Sequence, residues 1–457
     1  MPSTDPSAAG RDVASVLHPF TNPKKHQETG PLILTDGKGV WVTDDAGKAY
    51  LEGMAGLWCA ALGFGEERLV EAAIRQMRRL PYFHLFTSKS HNPAIDLAAK
   101  LLSMAPVTMS KVFFATSGSE ASDTVVKLVW YYHNVIGRRE KKKIISRRKA
   151  YHGSTVAAAS LTGLPFAHRD FDLPIANILH ADCPHSYHFA EAGESEEDFA
   201  TRLAGNLEKL ILREDPETVA AFIAEPVMGA GGVLVPPRTY FDKIQPVLKK
   251  YDVLFIADEV ICGFGRTGNM FGCQTFGLEP DMISVGKALS SGYAPISAVM
   301  VNDKVYRAVH AGGDRLGMFG HGFTHSGNPV SCAVALETLK IYEERDILSH
   351  VRAVGPHLQQ SLRKFTAHPL VGEVRGVGLM AAVELVKDKA TRENFDPAQG
   401  VGAYLVARAQ EHGAIIRSLS GDSIAFSPPL IITREEIDLL VERFEQALAE
   451  TAQWLEK

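Results

Sequence analysis

The chain has 457 residues, 46% hydrophobic and 22% charged, with a formal net charge of −5. That length can bury a large core over two or three domains, and the composition excludes a disordered or fibrous chain. The mild negative charge gives no electrostatic reason to expect nucleic acid or an anionic membrane as a partner.

Cysteines stand at 59, 183, 262, 273 and 332. Odd in number and scattered, they read as reduced thiols rather than a disulfide framework. The N-terminus carries Asp5 early and has no apolar core, so no secretory signal is expected. No apolar run approaches the roughly 20 residues of a membrane-spanning helix. A soluble, cytoplasmic protein is the expectation.

In chain order, "VWVTDDAGKAYLEG" reads as a hairpin. "EERLVEAAIRQMRRL" reads as an amphipathic helix with Leu69, Val70, Ala73, Ile74 and Met77 on one face. From about residue 110, short apolar runs ("KVFFAT", "KIIS", "AAFIAE", "VLFIA", "MISV", "ISAVMV") alternate with helical segments. Continuous apolar runs fit strands covered on both faces, hence a mostly parallel central sheet in an α/β domain. A long helix, "NPVSCAVALETLKIYEE", then leads into a smaller α+β section. The expected division is an N-terminal segment, 1–70, packing with the small domain, a large domain over 71–330, and the small domain over 331–457. No Gly/Ser linker separates these parts.

Ligands of open α/β sheets bind beyond the carboxyl ends of the strands. Three features fall there. In "FFATSGSEASD", the free N–H groups of Gly118 and Ser119, the Ser119 hydroxyl and a helix dipole suit a phosphate, although a plain N-cap box has the same pattern. Asp258 ends a buried strand, where a carboxylate can hold a cation, a metal or a protonated ring nitrogen, or simply cap a helix. Lys287, in "PDMISVGKALSSG", follows a core strand among small residues. It either snorkels to water or is kept neutral as a nucleophile able to form a Schiff base. One ligand answers all three features: pyridoxal phosphate, with its phosphate, ring nitrogen and aldehyde.

"LFIADEVICGFGRTG" followed by "GKALSSGYAPISAVM" resembles the signature of class III pyridoxal-phosphate aminotransferases. "MAGLWCAALGFG", "SGSEASD", "AYHGST", "AEPVMGAGGV", "HGFTHSGNP" and "VRGVGLMAAVEL" extend the likeness along nearly the whole chain. "LWC" and "GFTHSGNP" most resemble the pyruvate-using ω-transaminases that act on amines, β-alanine, polyamines or taurine. The resemblance implies the type I fold of pyridoxal-phosphate-dependent transferases. It also implies ping-pong transfer of an amino group from an amine or ω-amino acid to a keto acid. In that reading Lys287 carries the coenzyme and shuttles the proton, and Asp258 pairs with the ring nitrogen. Tyr151 and Val260 cover the two ring faces, and Glu225 lies beside Asp258. Ser117, Gly118 and Ser119 hold the phosphate, helped by Thr324 from the second subunit of a homodimer. Arg417 grips a substrate carboxylate, and Phe20, Trp58, Phe86 and Ala230 line the pocket. Where relatives commonly read "SGSEAND", this chain has Ser122, a shorter side chain that could still hydrogen-bond locally. A 2-oxoglutarate-dependent aminotransferase, an aminomutase and a decarboxylase are the alternatives within the class.

Other signals weigh less. A P-loop NTPase would need Ser or Thr at Ala288 and Gly at Asp281, and its motifs would run in the opposite order. "HADCPHSYH" lacks the two separated ligand pairs of a structural zinc site and reads as a polar loop. "RREKKKIISRRK" lacks interleaved aromatics and reads as a solvated helix end entering a strand. "GFGRTG" reads as a flexible loop rather than a dinucleotide fingerprint, which should open a helix.

Overall fold

The computed structural model describes residues 6–457, so Asp5 lies outside the described residues. Its largest sheet has seven strands, in the order Lys111–Ala115, Ser297–Val301, Met282–Val285, Leu254–Asp258, Val219–Ala224, Lys143–Arg147, Ile178–Ala181. Ser297–Val301 pairs antiparallel with both its neighbours, and the remaining pairings are parallel. Every residue of Val219–Ala224, Leu254–Asp258, Met282–Val285 and Ser297–Val301 is buried.

The apolar runs lack polar alternation because both faces are covered. Ile144, Ile223, Ile256, Met282 and Val299 join one apolar cluster, which includes the helix Gly118–Val135. Their chain neighbours Ile145, Phe222, Phe255, Ile283 and Ala298 join another. Side chains that alternate across a strand therefore feed two cores, one on each side. Because six of the seven strands share a direction, Thr116, Asp258 and Gly286 all emerge near one edge.

The expected hairpin is present as Trp41–Asp44 paired antiparallel with Ala49–Glu52. The Asp44 carboxylate holds its turn, accepting the amides of Ala46 (3.0 Å) and Lys48 (2.8 Å) and the Tyr50 hydroxyl (2.7 Å). Ala414–Ile415 joins Ala49–Glu52 in parallel, so the first and last parts of the chain share a sheet. A third sheet, Val371–Val377, Met380–Leu385, Ser423–Phe426 and Arg417–Leu419, is wholly antiparallel. The long helix Pro329–Glu344 starts where Asn328 Oδ1 accepts the amides of Val330 and Ser331, with proline in the first turn where no N–H is needed.

The helix Glu67–Arg79 forms as expected, but its buried stripe is rotated. Leu69 and Ala72 are buried, whereas Val70 and Met77 are exposed. The helix lies along Pro329–Glu344, to which Arg68 is tied through Glu337 at 2.6 Å, and that contact selects the stripe.

Three loop readings need correction. In the basic run, Lys141 and Arg147 are fully buried rather than solvated. The Lys141 ammonium donates to the carbonyls of Val219 (3.1 Å), Tyr251 (2.9 Å) and Asp252 (3.1 Å), which replace its water. The "GFGRTG" loop is packed rather than free: Arg266 is buried and donates to the carbonyls of Leu379 (3.0 Å) and Pro428 (2.5 Å). The "HADCPHSYH" segment is more than a polar loop, because its histidines dock on the third sheet. His185 meets Glu373 at 2.8 Å and His188 meets Glu384. Arg375 bonds both glutamates (2.6 and 2.5 Å) and also Ser423 Oγ (2.9 Å).

All five cysteines are free, and among the described residues no helix is long and apolar enough to cross a membrane. Removing Arg375 would strand the buried Glu384 carboxylate. Arg375→Met is therefore expected to cost about 3–5 kcal/mol, read as a lower thermal unfolding midpoint. An unchanged midpoint would show that the cluster contributes nothing net.

Candidate active site

Lys287 opens a single 3₁₀ turn, Lys287–Ser290, directly after the strand Met282–Val285 and Gly286. Its φ is +44°, an uncommon value for a residue with a side chain, and strain of this kind concentrates at functional sites. Among the described residues its ammonium has neither a hydrogen bond nor an ion pair. Burial lowers its basicity, against the opposing pull of Cys59, Asp258 and Glu225 nearby. A neutral amine is the nucleophilic form.

Asp258 ends the adjacent strand, in register with Ser284. Only 4% exposed, it receives the Val260 amide at Oδ1 (3.1 Å) and faces His152 Nδ1 at Oδ2 (2.7 Å). Glu225 is buried as well, accepting the Tyr151 amide (3.0 Å) and the Gly229 amide (2.9 Å). Burial raises its carboxyl above the usual range, with Asp258 adding to the rise and His152 opposing it.

The helix Gly118–Val135 begins at the same edge. Ser117 Oγ caps it through the Glu120 amide (3.2 Å), leaving the amides of Gly118 and Ser119 without acceptors among the described residues. Ser119 Oγ accepts the Ser154 amide at 2.9 Å. Gly153 has φ +133°, and a Cβ there would stand 2.5 Å from Ser119 Oγ, so only glycine fits. A Cβ on Gly118 would meet Val260 Cγ1 at 3.1 Å, which puts the helix start directly against the segment after Asp258. Ser122, the departure from the usual pattern, is buried and donates to the His152 carbonyl at 2.7 Å.

A second group gathers around Arg417. The Arg417 guanidinium lies 5.7 Å from the centre of the Trp58 ring. Trp58, with φ +60°, donates through Nε1 to Ser427 Oγ at 3.2 Å and packs in the cluster that Ala230 adjoins. Arg417 has no hydrogen bond or ion pair among the described residues. Burial lowers its pKa, and Tyr151 opposes the shift.

Thr324, Phe86 and Phe20 make none of these contacts. Thr324 is exposed and its carbonyl accepts the Tyr82 hydroxyl at 3.0 Å, while Phe86 packs against Gly322. Phe20 is 65% exposed with its ring on Phe166, 5.8 Å between centres. No hydrogen bond joins any of the three to Lys287 or Asp258 among the described residues. Sequence reasoning missed His152. A histidine directly after Tyr151 in the loop beyond a core strand was the available signal.

The model of the family described as aminotransferase class-III matches residues 22–448, so the chain belongs to the class III aminotransferases. It is 53% identical to gamma aminobutyrate transaminase 3, chloroplastic, of Solanum lycopersicum, over 97% of this chain and 85% of that protein. It is 52% identical to gamma-aminobutyrate transaminase 1, mitochondrial, of Oryza sativa subsp. japonica, over 95% of this chain and 84% of the relative. Among solved structures, the omega transaminase from Pseudomonas jessenii in complex with PMP matches with a TM-score of 0.97 and 57% identity, covering 98% of this chain and 99% of that one. The expected type I fold and aminotransferase class therefore both hold.

Enzymes of this class depend on pyridoxal phosphate, and the residues present fit it. Two free amides at a helix N-terminus suit the phosphate, a buried carboxylate suits the ring nitrogen, and an unpaired lysine suits the aldehyde. A valine at 118 would crowd Val260 at the helix start. Gly118→Val is expected to weaken coenzyme binding by at least about tenfold, measured by absorbance titration of the coenzyme-free protein. Unchanged affinity would show that this helix start does not hold the phosphate.

Proposed function

We propose that this aminotransferase moves an amino group from an amine or ω-amino acid to pyruvate. Arg417 carries the reading: it is a guanidinium with no hydrogen-bond or ion-pair partner among the described residues, set against Trp58 and within electrostatic reach of Tyr151. A half-buried arginine without a counter-ion is poised for a carboxylate that arrives with the substrate. ω-Amino acids and keto acids bring one, and simple amines do not. The relatives named for gamma-aminobutyrate support an ω-amino acid donor. A thermostable omega transaminase variant, W58M/F86L/R417L, was engineered for asymmetric synthesis of enantiopure bulky amines, and this chain has Trp58, Phe86 and Arg417 at the like-numbered positions.

In this reading the bound coenzyme supplies an aldehyde carbon and an electron-accepting ring. Lys287 would hold that carbon through its amine, and the same amine is the group assigned to move the donor's proton. Burial lowers its basicity, which favours the neutral amine that a proton acceptor needs. Asp258, fixed by His152 and the Val260 amide, would pair with the ring nitrogen and keep its proton in place. Ser117, Gly118 and Ser119 bind the phosphate, Tyr151 and Val260 cover the ring, and Glu225 orients Tyr151 through its amide. Trp58, Ala230, Phe86 and Phe20 shape the donor pocket.

Homodimer formation, with Thr324 contributed across the interface, is supported by its exposure beside the exposed Tyr82, Phe83 and Phe86. The pairing of Ala49–Glu52 with Ala414–Ile415 supports grouping residues 1–70 with the small domain over 331–457, apart from the large domain over 71–330. Free thiols support a reducing compartment such as the cytoplasm.

With pyruvate and an ω-amino acid, the protein is expected to form alanine. In Arg417→Leu, kcat/KM for carboxylate-bearing donors should fall about 10–100-fold, the worth of a charge-assisted hydrogen bond, while arylalkylamine donors keep theirs. Equal loss for both donor types, or turnover with 2-oxoglutarate alone, would contradict the assignment.

A further inference from the structure

We propose that Asp12, His18 and His26 form a binding site for a divalent transition cation of the zinc and nickel class. His18 Nε2 lies 2.8 and 3.0 Å from the two Asp12 carboxylate oxygens, and His26 Nε2 lies 3.0 Å from Asp12 Oδ1. The two imidazole rings stand 4.3 Å apart, so both nitrogens converge on one carboxylate. Ligand atoms held tetrahedrally at about 2.0–2.2 Å from zinc are themselves about 3.3–3.5 Å apart. The present separations need open by only a few tenths of an ångström to admit the ion.

The donor set favours this class of cation. Two imidazole nitrogens and one carboxylate suit zinc, nickel or copper, whereas magnesium and calcium prefer oxygen alone. Without a cation, each imidazole donates a proton to the same carboxylate, and the ion would replace those two protons. Side-chain exposures of 18% for Asp12, 30% for His18 and 11% for His26 leave the trio shielded but reachable from solvent. His185, His188 and Glu384 also converge, but there Arg375 already bonds the glutamate at 2.5 Å and repels a second cation.

The three ligands come from the helix Ala8–Ser15, the turn after it and the helix Pro23–Thr29. A bound ion would tie the two helices together and stiffen the turn that carries Phe20, whose φ is +52°. The site makes no use of the coenzyme.

Equilibrium dialysis of the untagged, chelator-stripped full chain against zinc alone, with metal quantified directly, tests the site. The wild type should bind one equivalent more than the His18→Ala/His26→Ala double variant, and Asp12→Asn should weaken that equivalent about tenfold or more. Zinc should also slow tryptic cleavage after Lys24 and Lys25 in the wild type only. No zinc bound to the wild type, or the same stoichiometry in the double variant, would overturn the assignment.

Discussion

An amine without a counter-ion, held at the end of a core strand next to a buried carboxylate, is the constraint on which the rest of this structure depends. Moving an ammonium out of water costs several kcal/mol unless it is paired. Lys141 shows the structural answer, with three carbonyl oxygens surrounding its charge. Lys287 has no such cage, and its backbone is held at φ +44°. The fold tolerates this strained position because the strands on either side are fully buried and anchored in both cores. A lysine joined covalently to a cofactor would no longer carry a stranded charge, which is the physical sense of putting it there.

The sheet does the positioning. Parallel strands deliver Asp258 and Lys287 to one edge in fixed register, and the helix that starts at Gly118 presents its free amides against Val260. Asp258 is itself fixed by His152, whose carbonyl is held by Ser122 and whose amide is held by Thr162 Oγ1 at 2.9 Å. The site is thus supported by a second layer of hydrogen bonds, none of which involves Lys287. Serine at 122 fills that layer with a buried hydroxyl, so the departure from the usual pattern costs no hydrogen bond.

Much of this was legible from sequence because the relevant signals are local. Continuous apolar runs reported strands covered on both faces, and the small residues around Lys287 reported close packing at a strand end. Signals that depend on distant partners were not legible. Val70 and Met77 share a helical face with Leu69 on paper, but the position of Pro329–Glu344 chooses a different stripe. Arg147 sits in a run of charges and yet is buried, because the Glu225 carbonyl accepts from it at 2.6 Å and two aromatic rings cover it. Likewise, His185 and His188 acquire meaning only through Glu373, Glu384 and Arg375, nearly two hundred residues further along.

The central claim concerns one nitrogen atom. Reduction of the coenzyme-loaded protein with borohydride, followed by proteolysis and peptide mass spectrometry, locates the lysine that carries the coenzyme. The account predicts a phosphopyridoxyl group on the peptide containing Lys287 and on no other. The same mass on another lysine, or on none, would contradict it.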